Sequence, residues 1–530
     1  MMNAEKTFAA NRQLRGLMMG LALIGLTWEL ATWIVHGNDK TLLMFGLGVV
    51  VCVLAVGILQ DWRSGVYFFL VWLLFEDLAR KFLGNSMVVY FGKDLLVGVC
   101  YVAFYFSRRR GKVPRFKIPF AVPFALFLWL AVIQVFNTWS PSFLYGGLGL
   151  KVYFWYVPLI FLGYALLETP QDLNRFLVIN LIAGMVVTLL GIIQSIVGLT
   201  FLSPAVLAPE IADLGRLTRE SPVTHLAVPV PTGPFVSGGR FSTYLILLWI
   251  LAMGAQGYLL IRRGRGAVYG FLCIGVVTIG VMISGTRTPF VFVIASALVM
   301  TAAFLWGAPW HWGQGHQLVK ALRRAFLVGG VGLILMAEVF PQSIGVNWAL
   351  FSETLSWRGP GSEVVSRGWN YPVDNLIKAF EHERWVYGYG TGTSSLGVQY
   401  VAELLHQPQP SIGVESGFGV LIVEMGILGL MFWIVWVTAF LISGWRVVKQ
   451  LRETAYFPLA FAILWYAFIL LVPLTYFGMQ PYQNFVMNAY LWLLLGILYR
   501  LPALAKMPQP VPAPKHARAM ARWSYATGGR

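Results

Sequence analysis

Runs of about 20 apolar residues, separated by short polar segments, recur along almost the whole chain, and that is the length a helix needs to cross a hydrocarbon core. Counting them gives about 14 spans. They lie near 14–36, 41–60, 65–82, 86–106, 119–136, 152–168, 176–199, 241–260, 267–284, 288–307, 325–341, 417–444, 455–476 and 485–502. The third and fourth contain Glu76, Asp77, Lys93 and Asp94, which reads either as an intramembrane ion-pair cluster or as displaced span edges. The predicted fold is an all-α polytopic membrane protein. Its N-terminal helices occupy 1–199, a loop 200–240, central helices 241–341, a larger loop 342–416, C-terminal helices 417–502, and a basic tail 503–530.

Composition agrees with that reading. Of 530 residues 58% are hydrophobic and 12% charged, about half the charged share of a soluble protein, and the mean hydropathy is +0.70. The net charge of +17 does not point to nucleic acid, because cytoplasmic loops accumulate Lys and Arg. With the N-terminus placed inside, the strongly basic short segments 107–117, 261–266 and 444–453 and the tail after Arg500 all fall on the cytoplasmic side. Both termini are thus expected in the cytoplasm, and both long loops outside. Cys52, Cys100 and Cys273 lie within apolar runs and offer neither a disulfide framework nor metal-ligand spacing. No cleavable signal is evident at the start of the chain.

Two arginines stand at the outer boundary: Arg240 in PTGPFVSGGRFSTYL, just before the eighth span, and Arg287 in ISGTRTPFVFV, between the ninth and tenth. An arginine at a helix end is ordinarily a snorkelling cation. Here the small Gly, Ser and Thr neighbours leave backbone N–H groups open to an anion, and two planar guanidiniums at headgroup depth suit a pyrophosphate. The larger loop adds Arg367 and Arg384, a short amphipathic helix after Pro372 with Leu376, Ile377 and Phe380 on one face, and GYGTGTSSLG, expected to be a flexible hydroxyl-rich turn. Aromatic residues such as Trp369 and Tyr389 read equally as an interfacial belt or as platforms for sugar stacking.

The outer histidines show no metal-ligand arrangement and the chain has no Asp-x-Asp pair; no metal and no cofactor are expected. Among the acids, Glu415 precedes the twelfth span and Glu424 lies inside it. Nine residues is about 900° of helix, so the two point to opposite faces. Glu424 is expected to pair with a polar group of another span, and Glu415 to be the candidate for chemistry.

The order of these features resembles the bacterial O-antigen ligase and Wzy-type polymerase superfamily. ISGTRTPFVFVIAS, GPFVSGGRFSTYL, SRGWNYPVDNLIKAFEHERWVYGYGTG and VESGFGVLIVEMGILGLMFW carry the resemblance, across roughly residues 200–500. It implies a GT-C-like, all-helical glycosyltransferase at the outer face of the bacterial inner membrane. The donor would be an undecaprenyl-diphosphate-linked glycan, its diphosphate held by Arg240, Arg287 and Arg367 without a metal. Inverting transfer to a glycan acceptor would use Glu415, with His406 as a second candidate base, and Ser416, Trp369 and Tyr389 as acceptor or sugar contacts. Where the ligases carry histidine before the twelfth span this chain has Glu415-Ser416, which tilts the expectation to polymerisation of O-antigen, capsule or exopolysaccharide units. A ligase acting on lipid A-core or protein is the near alternative and a transporter the distant one. Membrane lipids, a chain-length regulator and a flippase are the expected company.

Overall fold

The computed structural model describes residues 52–507 except 112, 205–216, 263–266, 308–322, 358, 360, 411, 412 and parts of 325–339. The first predicted span, most of the second, part of the eleventh and the tail beyond residue 507 lie outside the described residues.

The described elements run in the order α1 (Trp62–Phe82), α2 (Met87–Arg109), α3 (Ala121–Val135), α4 (Phe143–Phe154), α5 (Leu159–Leu166), α6 (Pro170–Val197), β1 (Thr218–Glu220), β2 (Ala227–Pro229), α7 (Gly238–Ile261), α8 (Ala267–Met282), α9 (Arg287–Gly307), α10 (Pro341–Thr354), α11 (Tyr371–Glu381), α12 (Val398–Leu404), α13 (Gly417–Gln450), α14 (Phe457–Ile469), α15 (Thr475–Phe477), α16 (Gln480–Gln483) and α17 (Phe485–Ala505). Among the described residues, eight helical segments are long and apolar enough to cross a membrane: Met87–Arg109, Phe143–Leu166, Pro170–Val197, Gly238–Ile261, Arg287–Gly307, Gly417–Gln450, Phe457–Phe477 and Phe485–Ala505. This is the make-up of a multi-pass membrane protein, since each helix satisfies its backbone groups within its own segment in lipid. α3 and α8 are apolar but shorter. The predicted span 65–82 is helical as α1, with Glu76, Asp77, Arg80 and Lys81 in its last turns. The chain is not purely helical. β1 and β2 pair antiparallel with Arg219 opposite Val228, forming a small ribbon within the first long loop.

The described residues divide into two compact units, one comprising those up to Phe69 together with Asp94–Arg110, the other Leu70–Lys93 together with those from Gly111 onward. In the smaller, Trp62 packs edge-on to Phe104 at 5.1 Å. In the larger, α7, α14 and α17 are almost entirely enclosed by protein. Small residues allow that density, because association in lipid depends on close van der Waals packing. A Cβ on Gly163 of α5 would lie 2.1 Å from the Leu493 carbonyl oxygen of α17, and one on Gly496 would lie 2.1 Å from the Ile160 oxygen. The two backbones therefore touch directly at this crossing. Helix starts are capped locally: Thr169 and Asp172 form a reciprocal capping box on α6, and the Ser237 side chain accepts from Arg240 N at the head of α7.

The element that shapes the larger loop is α13, which breaks at Gly426 (φ 72°, ψ −177°), a backbone conformation open essentially to glycine alone. The break leaves carbonyls for other donors, and the chain after α11 supplies them: Tyr389 N bonds Val423 O at 2.7 Å and Gly390 N bonds Glu424 O at 3.0 Å. The approach is close enough that a Cβ on Gly426 would meet the Val386 oxygen at 2.2 Å. The GYGTGTSSLG segment is not the flexible turn that its composition suggests. Thr391, Thr393 and Ser395 are buried, and Thr391 Oγ1 donates to Ala131 O of α3 at 2.9 Å. Glu424 locks the segment in place: its carboxylate accepts from Ser394 N at 2.9 Å, Ser395 Oγ at 2.9 Å and Tyr153 Oη of α4 at 3.0 Å. The predicted partner on another span is thus Tyr153, and the loop's hydroxyl and amide come in addition.

Two measurements test these contacts. Gly496→Leu should cost at least about 2 kcal/mol through overpacking against backbone, lowering the thermal unfolding midpoint in detergent; an unchanged midpoint would mean that the α5–α17 crossing is looser than described. Glu424→Ala leaves three donors without their acceptor, at about 1–3 kcal/mol for each that stays buried. Hydrogen exchange should then rise first across residues 390–395 while α17 stays protected.

Candidate functional site

A cavity of about 880 Å³ opens among the end of α1, the loop after it, the head of α7, α12 and the α16 turn. Its walls include Arg80, Asn85, Tyr90, Arg240, Tyr400 and Glu403. Arg240 is carried there by the first turn of α7, and Arg80 by the last turn of α1.

Both arginines are organised by one buried carboxylate. Arg240 Nη1 donates to Asp77 Oδ2 at 2.7 Å, and Arg80 lies 3.7 Å from Asp77 Oδ1. Val236 N also donates to Asp77 Oδ2, at 3.3 Å. Arg240 also lies over the Phe485 ring at 4.8 Å. Arg80 lies over Tyr90 at 4.9 Å, donates to Asn85 Oδ1 at 2.9 Å and reaches the Tyr400 hydroxyl at 3.3 Å. Behind them Lys93 pairs with Glu76 at 3.6 Å, and Lys81 donates to Thr232 Oγ1 at 2.7 Å and Gly233 O at 3.1 Å. The charges in α1 and at the start of α2 are therefore a buried ion-pair cluster. Asp94 belongs to the smaller unit. Two guanidiniums against one carboxylate leave the Asp77 group with positive charge facing the cavity.

The other expected site residues lie elsewhere. Arg287 pairs with Glu363, as do Arg219 of β1 at 3.2 Å and Arg367 at 3.7 Å. The ISGTR hairpin is held there by backbone geometry. Gly285 has φ 64°, a Cβ on it would meet the Pro229 oxygen at 2.3 Å, and Gly285 N donates to Asn347 Oδ1 at 3.0 Å. Thr286 meets Ser242 of α7 at 2.6 Å. Arg240 and Arg287 thus sit on two different carboxylates, and among the expected site residues Arg240 alone lines the large cavity.

Glu415 is exposed, receives a hydrogen bond from the Tyr371 hydroxyl and has its own N–H on Asn375 Oδ1 at 3.1 Å. The carboxylate holds the Tyr371 phenol above its usual pKa. Ser416 is buried and donates to Tyr476 O at 2.9 Å. Trp369 is exposed, and Tyr389 packs on the apolar cluster of Ala379, Val414, Ile422 and Val423. The helix after Pro372 forms as α11. Its Leu376 joins that cluster, whereas Ile377 and Phe380 are exposed. His406, with φ 51°, lines a second cavity of about 350 Å³ together with Gln399, Ala402, Glu403, Gln407 and Gln409.

Sequence reasoning passed over Arg80, Tyr90 and Glu403, and read Tyr400 only as one of the loop aromatics, belt or sugar platform. The charges in the third span were a signal for Arg80, since a cation there needs a partner or a task. Nothing local marks Glu403, which comes to the cavity only through the anchoring of the preceding turn. No family model matches the chain, and no curated protein matches it, so its reading rests on these residues.

Proposed function

We propose that the chain is a metal-independent glycosyltransferase of about 14 spans and GT-C-like fold that polymerises undecaprenyl-diphosphate-linked repeat units at the outer face of the bacterial inner membrane. The observation that carries this is the 880 Å³ cavity with Arg80 and Arg240 in its wall. Its volume falls in the range of about 300–1,000 Å³ typical of small-molecule sites. Its cations are planar forks suited to bidentate phosphate recognition, and they are pre-positioned by Asp77, Asn85 and two aromatic rings.

In this reading the donor diphosphate lies against Arg80 and Arg240. Negative charge grows on the leaving oxygen as the bond to the anomeric carbon breaks, and cations already in place stabilise that charge without reorganising. The amides of Asn85, Gln399, Gln480 and Asn484 and the hydroxyl of Tyr400, all in the cavity wall, supply donors and acceptors for sugar hydroxyls. The Arg287–Glu363–Arg367 group organises the loop around the β1–β2 ribbon.

Purified full-length protein in liposomes, given undecaprenyl-diphosphate-linked oligosaccharide alone, should yield a ladder that grows by whole repeat units. Arg240→Ala should lower the rate by about 100- to 1,000-fold, the usual loss on removing one charge-stabilising donor. Product only on adding a lipid or protein acceptor would assign a ligase instead, and substrate movement without covalent product would assign a transporter.

A further inference from the structure

The two cavities are not separate features. They share Gln399 and Glu403 in their walls, so a ligand in one and a ligand in the other meet at those two side chains. Both belong to α12, where Gln399, Glu403 and His406 follow one another at spacings of four and three, one face of a helical turn and its continuation. Glu403 is the one carboxylate lining either cavity among the described residues.

Several of the other acids in the long loops are occupied, and the exposed Asp374, Glu381 and Glu383 line neither cavity. Glu363 holds three arginines, Glu415 accepts from Tyr371, and Glu353 accepts from Ser221 and the backbone of Val223. The Ser221 bond first of all keeps the Glu353 carboxyl below its usual pKa. Asp77 and Glu424 are buried among their donors. The Glu403 carboxylate is exposed and makes no ion pair or side-chain hydrogen bond among the described residues.

The turn that carries it is nevertheless anchored. Leu396 N donates to Gln483 Oε1 at 2.7 Å and Gln483 Nε2 to Ser395 Oγ at 3.1 Å, and Ser395 is bonded to Glu424. α12 therefore starts from an anchored residue, and a free carboxylate projects from it at the meeting point of the two cavities.

We propose that Glu403 is the general base of the transfer, and that the smaller cavity, with Gln399, Gln407, Gln409 and His406 around it, seats the acceptor sugar. This rests on the reading of the large cavity as the donor diphosphate site. As the acceptor oxygen bonds to the anomeric carbon, its proton passes to the Glu403 carboxylate. The anomeric C–O bond breaks, and its electron pair leaves on the diphosphate, against Arg80 and Arg240. Glu403 then releases the proton to water and is restored.

The test uses full-length reconstituted protein with radiolabelled undecaprenyl-diphosphate-linked oligosaccharide, and compares wild type, Glu403→Gln, Glu403→Asp and Arg240→Ala. Glu403→Gln should lose about 100- to 10,000-fold in kcat, as removal of a general base does, while donor Kd stays within about twofold of wild type. Glu403→Asp should recover part of the rate. If Glu403→Gln turns over within about threefold of wild type while Arg240→Ala does not, Glu403 is no base and the donor site stands. Loss of donor binding in Glu403→Gln would make it a binding group and overturn the assignment. Wild-type protein that forms no product with any glycan acceptor would overturn both readings.

Discussion

The long loops of this molecule depend on one broken helix. At Gly426 the backbone leaves the helical region, and the carbonyls of Val423 and Glu424 accept hydrogen bonds from the backbone of Tyr389 and Gly390. A free carbonyl in a membrane bundle costs several kcal/mol by order of magnitude, so break and inserted loop require each other. Glu424 completes the arrangement by gathering Ser394 N, Ser395 Oγ and the Tyr153 hydroxyl on one carboxylate. Through Ser395, Gln483 and Leu396 the restraint extends to α12 and thus to one wall of the large cavity. A carboxylate buried in the bundle is expensive, and here its full set of donors offsets that cost.

Charge is handled by the same logic elsewhere. Asp77 orients Arg240 and Arg80, and Glu363 orients Arg219, Arg287 and Arg367. In each case one carboxylate serves more than one guanidinium. Such a group stays positive overall while each cation remains partnered, which is what a rigid anion site requires. The Asp77 group faces a cavity. The Glu363 group ties together the ribbon strand β1, the head of α9 and the large loop, three segments far apart in sequence.

Much of the architecture was legible in one dimension. Apolar length marks helices such as α6, α7, α13 and α17, because crossing a hydrocarbon core imposes a minimum run on each segment independently. The Pro372 signal located α11. Glycines read as markers of flexibility misled at GYGTGTSSLG, where Gly388, Gly390 and Gly392 have positive φ and allow close backbone approach rather than motion. A Cβ on Gly392 would meet the Tyr145 oxygen at 1.8 Å, a contact invisible without the fold.

The sequence by itself therefore determined that this is a helical, multi-pass chain, and it singled out Arg240 as a cation at a helix head. Those features follow from local hydrophobic length and helix-end chemistry. Which residues share a cavity was decided by tertiary structure alone. Arg80 reaches Tyr400 across 320 positions of sequence, Arg240 meets Asp77 rather than Arg287's partner, and Glu403 reaches the cavity wall on a turn anchored at Glu424. The reason is physical: buried charges and freed carbonyls must find partners wherever packing brings them, and no local pattern records which partner that will be.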